Sequence, residues 1–107
     1  MIVIRLDSRL LTNPDADIRY RLPELLVQRS GSTLTDDGYD YVGDEHLLIL
    51  FLKTTQLESG LVCVLELIEH VRVLGNDLRL AVVVAVEREA GFEVVYPVNS
   101  VETFVLE

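Results

Sequence analysis

The 107-residue chain has one cysteine, three prolines, six glycines and only nine basic residues against eighteen acidic ones. With Cys63 as the single thiol no internal disulfide can form, so this is not a disulfide-stapled secreted scaffold. Little proline and glycine, with half of the residues hydrophobic, excludes a disordered chain and leaves one able to bury a core. Bases are too few to neutralise a run of phosphates, which argues against nucleic acid and against anionic membrane surfaces. The longest uncharged apolar runs, Leu47–Leu52 and Leu80–Val86, are far too short to cross a bilayer. Arg5 and Asp7 come too early for a signal peptide, so a cytoplasmic protein of bacterial type is the expected setting.

Catalytic signatures are also missing. No glycine-rich loop opens a helix with Lys and Ser or Thr, and there is no His-Glu-x-x-His, no cysteine pair and no Gly-x-Ser-x-Gly. His46 and His70 are the only imidazoles. Together with Cys63 they lack metal-ligand spacing, and His70 reads as a surface partner of Glu66 one helical turn away. A reaction centred on His46 would need a base–partner spacing that the chain lacks. No cofactor and no catalytic residue is therefore expected.

What is present reads as one α+β domain over 1–107, the usual size for a single core. Ile2, Val3, Ile4 and Leu6 make a β-branched first strand. Asn13-Pro14-Asp15 suits a helix start, with Asn13 as cap, and Pro23 forces 15–30 to be a kinked helix or a turn followed by a helix. Ser32–Val42 reads as extended, with Asp37-Gly38 as a hairpin turn or a bulge. His46–Lys53 is continuously apolar enough for a central strand. Thr55-Gln56-Leu57-Glu58 fits a capping box, and Leu57, Leu61, Val64, Leu65, Ile68, Val71 and Leu74 share a helical face that Gly75 would end. Leu80–Val86 and Phe92–Val98 read as a hairpin turning at Ala90-Gly91, and Ser100–Leu106 as a last strand or tail.

That order of elements resembles the ferredoxin-like split βαβ architecture, which implies an antiparallel sheet with two helices on one face, here with an extra C-terminal strand. The resemblance is to an architecture, and no family motif accompanies it.

Charge is unevenly spread: residues 1–34 carry a net +1 and residues 35–107 a net −10. The joint between the two halves concentrates it, with Asp36, Asp37, Asp40, Asp44 and Glu45 interleaved with Tyr39 and Tyr41. The acids lack the spacing of a calcium-binding loop, and a segment so charged gives no desolvated carboxyl for acid–base work, so no metal is expected. Tyrosines ringed by carboxylates suit recognition of a basic protein through steering, charged hydrogen bonds and cation–π contacts. The leading expectation is a non-catalytic inhibitor of the immunity-protein kind, occluding a basic, nuclease-type bacterial toxin with these seven residues, aided by Glu66 and Glu69. The alternative is a homodimeric regulatory or small-ligand module, with Val62, Val73 and the tail Val101–Leu106 as interface.

Overall fold

The computed structural model describes residues 1–44 and 46–97. Five strands are present, β1 (Ile2–Asp7), β2 (Leu34–Val42), β3 (Leu47–Thr54), β4 (Val82–Arg88) and β5 (Gly91–Tyr96). Two helices accompany them, α1 (Ile18–Arg29) and α2 (Leu57–His70). The sheet order is β2-β3-β1-β4-β5 and every pairing is antiparallel. The α+β class is therefore as expected. Neither described helix is long and apolar enough to cross a membrane.

Side-chain alternation along the strands sorts the sheet into two faces. Ile2, Ile4 and Leu6 of β1, with Leu48, Leu50 and Leu52 of β3 and Val84 and Val86 of β4, form one buried cluster. Leu22 and Leu26 of α1 and Val64, Leu67 and Ile68 of α2 belong to the same cluster, so both helices cover that face. Each such side chain contributes about 1.5–3 kcal/mol by leaving water. On the opposite face Val3, Ile49 and Ala85 are buried among partly covered neighbours such as Phe51, Val83 and Phe92.

Several local expectations need correction. Asn13 does not cap a helix: α1 begins five residues later, after Asp17, which makes no side-chain cap bond. Asn13 is drawn instead to Asn76. Ser8–Leu10 form a single 3-10 turn, anchored where the Ser8 amide and hydroxyl both donate to the His46 carbonyl. Pro23 lies inside α1, buried, and the helix runs through it although its nitrogen has no proton for the Arg19 carbonyl. The capping box at Thr55 does not form, because Gln56 stands at the cap position, where its amide donates to the Thr54 hydroxyl at 3.0 Å.

Helix α2 is also shorter than its apolar periodicity suggests. It ends at His70, and Val73 to Asn76 close a separate tight turn with Leu74 (φ 50°) and Gly75 (φ 80°) in left-handed conformations. Val73 is thereby buried in the main core and is not available as an interface residue, whereas Val62 on α2 is exposed. The expected strand at 100–106, and with it the proposed interface at Val101–Leu106, lies outside the described residues.

Candidate functional site

Most of the acidic segment lies on β2, one of the two outer strands of the sheet among the described residues. Strand β2 pairs with β3, and its six residues from Thr35 to Asp40 are all exposed. Of the two readings of Asp37-Gly38, the structure takes the bulge: the register slips between Asp36 and Tyr39, with Gly38 at φ 99°. That dihedral lies where a side chain is strained, so glycine suits the position. The Asp36 carboxylate steadies the bulge by accepting the Gly38 amide at 2.9 Å.

Pairing decides where each candidate points. Asp36, Tyr39 and Tyr41 stand opposite Leu52, Leu50 and Leu48, on the side of the helices, while Asp40 stands opposite Ile49 on the other side. Asp37 reaches Lys53, with 3.4 Å between carboxylate and ammonium. Asp40 accepts the Tyr41 amide at 2.8 Å. The carboxylates thus flank both sides of one edge and do not converge on a point. Asp44 occupies the β2–β3 turn with Gly43, both left-handed (φ 58° and 60°), and Glu45 lies outside the described residues.

The two tyrosines are brought together with residues that sequence reasoning did not single out. Tyr39 stands edge-on to Tyr41 (centroids 5.8 Å apart) and to Tyr20 of α1 (5.9 Å). The Arg19 guanidinium lies 4.7 Å from the Tyr20 ring centre and 5.6 Å from that of Tyr39, and its Nη1 donates to the Tyr41 hydroxyl at 3.4 Å. Contacts of these kinds contribute about 0.5–1.5 kcal/mol each. The Tyr41 hydroxyl, ahead of the other phenols, holds the Arg19 proton more tightly than usual. The cation over Tyr39 is therefore one that the chain supplies itself. No spacing in the sequence signals this, since Arg19 and Tyr20 belong to a different element from Tyr39 and Tyr41.

Behind Tyr41 is a cavity of about 400 Å³. Leu6, Leu11, Ile18 and Leu48 give it apolar walls, and Ser8, Asp15, Arg19, Tyr41 and His46 line it with polar groups. The other singled-out residues stand apart. His70 is exposed at the end of α2 and meets Glu69 at 4.0 Å, not Glu66. Cys63 is half-buried, and burial pushes its thiol pKa up. Among the described residues no three of His, Cys, Asp and Glu gather closely enough to hold a metal ion.

No protein-family model, no curated protein and no solved structure matches the chain.

Proposed function

We propose that the protein is a non-catalytic binding protein that occludes a basic protein partner with its β2 edge, acting as an immunity-type inhibitor of a nuclease-like bacterial toxin in the cytoplasm. The observation that supports this most is the exposure of the whole run Thr35–Asp40, three carboxylates on the outer strand of an already acidic chain. An outer strand offers main-chain groups as well as side chains to a partner segment, and acids on both of its sides attract a cationic surface from either direction. The fold reading that goes with it is a ferredoxin-like split βαβ unit carrying β5 as an added strand.

Capture from the native source with immobilised protein tests the proposal. One basic protein should be retained at low salt, released at high salt, and ignored by a variant with Asp36, Asp37 and Asp40 changed to Lys. Retention of the same partner by that reversed variant overturns the assignment of the edge.

A further inference from the structure

The cavity behind Tyr41 holds two opposite charges that do not meet. Asp15 and Arg19 both line it, yet neither has an ion-pair partner among the described residues. One Asp15 oxygen accepts the Asp17 amide at 2.9 Å, which leaves the other oxygen for the cavity. The Tyr41 hydroxyl accepts from Arg19, so its own proton is free to donate. The first amides of α1, at Ile18 and Arg19, donate to the carbonyls of Asp15 and Ala16 and so do not serve the remaining Asp15 oxygen. Between the charges the wall is aliphatic, from Leu6, Ile18 and Leu48.

A volume of about 400 Å³ falls in the range of small-molecule sites, roughly 300–1,000 Å³. We propose that this cavity binds a free α-amino acid with an apolar side chain. Its carboxylate takes the Arg19 guanidinium and the Tyr41 hydroxyl, its ammonium takes Asp15, and its side chain lies on Leu6, Ile18 and Leu48. A simple anion is repelled by Asp15, and a simple cation by Arg19. A zwitterion satisfies both. The site shares Tyr41 with the proposed contact edge but does not rest on partner capture, and it is tested without any partner protein.

The probes are L-leucine, L-isoleucine, L-valine and L-methionine, titrated into isotopically labelled protein and followed by the backbone amides of Ile18, Arg19 and Tyr41. At least one should bind saturably. For leucine, 4-methylpentanoate (no ammonium) and 3-methylbutylamine (no carboxylate) should each bind about tenfold or more weakly, the loss of one charged hydrogen-bonded contact. Asp15→Asn keeps an oxygen for the Asp17 amide and so preserves the turn. Its amide spectrum should stay that of the folded protein while affinity falls by about tenfold. Absence of saturable binding by all four amino acids overturns the proposal. So does binding of either leucine analogue as tightly as leucine itself, or undiminished binding by the folded Asp15→Asn variant.

Discussion

Asn13 and Asn76, 63 residues apart, hold each other as two strands would: the Asn13 amide donates to Asn76 Oδ1 and Asn76 Nδ2 donates to the Asn13 carbonyl, both at 2.7 Å. Asn76 is the one fully buried polar side chain among the described residues. It is fixed by the turn in which its own amide and carbonyl pair with those of Val73. The loop that leads into α1 is thus tied to the loop that follows α2.

Asn76→Ala should therefore destabilise the protein by about 2 kcal/mol, because it removes both bonds to Asn13 and leaves a gap where the buried Asn76 side chain stood. Asn76→Asp separates the two bonds. It keeps an acceptor for the Asn13 amide but turns a buried carboxylate toward the Asn13 carbonyl, so the variant should be weak at neutral pH and recover as the pH is lowered. The sign follows from burial raising the introduced carboxyl's pKa in the folded state: its protonated form is the better tolerated one. Denaturant unfolding at two pH values measures both effects, and an unchanged midpoint for Asn76→Ala would show the tie to be dispensable.

Gly60 makes a second close approach. A Cβ there would come within 2.8 Å of Leu34 Cδ2 and 3.3 Å of the Thr54 hydroxyl, and Leu34 is itself fully buried. Gly60→Ala gains about 1 kcal/mol of helix propensity, but overpacking a filled core costs about 1–3 kcal/mol. A net loss of about 1 kcal/mol is expected. Shortening Leu34 to Val should lessen the penalty, so the double-mutant cycle should show favourable coupling between the two sites.

How these contacts relate to the sequence shows what a linear pattern carries. The alternation of Ile2, Ile4 and Leu6 and the dense run Leu47–Leu52 announce their strands because burial on a sheet face acts locally, residue by residue. The exposure of β2 was legible in its charge, since three carboxylates on one strand belong at solvent. Asn13–Asn76 and Tyr20–Tyr39 were not, because each joins residues from separate elements whose meeting is set by the packing of whole layers. Two local patterns misled for a physical reason. Val71 and Leu74 continue the apolar rhythm of α2 because they pack against the same core from outside the helix. The Thr55 box does not form because the helix starts one residue later, with Gln56 at the cap position. The cavity was invisible because Asp15 and Arg19 gain meaning only when Tyr41 and Leu48 arrive from the sheet.

Asp77 provides a prediction on pH. Arg79 forks onto its carboxylate, with Nε at 3.0 Å and Nη2 at 2.7 Å, and its backbone amide adds a third bond at 3.0 Å. These bonds, the side-chain ones first, hold the Asp77 pKa at about 2, below its ordinary 3.8. A carboxyl depressed by folding favours the folded state above its unfolded pKa, and that favour disappears as the pH falls through the folded value. The Asp77 contribution should thus be complete above about pH 4 and vanish toward pH 2. A carbon-detected titration of Asp77 should show the low value, and Arg79→Gln should return it toward the ordinary one.

The proposed contact edge calls for a variant that removes charge without disturbing the strand. Asp36 and Asp40 each use an oxygen to accept a nearby backbone amide, from Gly38 and Tyr41. An asparagine retains that acceptor, whereas lysine loses it. Asp37 makes only the ion pair with Lys53, on a well-exposed lysine, and such surface pairs contribute about 0–1 kcal/mol. The triple change of Asp36, Asp37 and Asp40 to Asn should therefore alter folding stability by no more than about 1 kcal/mol. Its effect on partner binding should be of a different kind. Association should slow and become nearly independent of salt, because rim charges act mainly on the encounter rate. Stopped-flow association at several ionic strengths separates the outcomes. A rate and salt slope unchanged by the three asparagines would mean that the partner is met by another surface, even if it still binds.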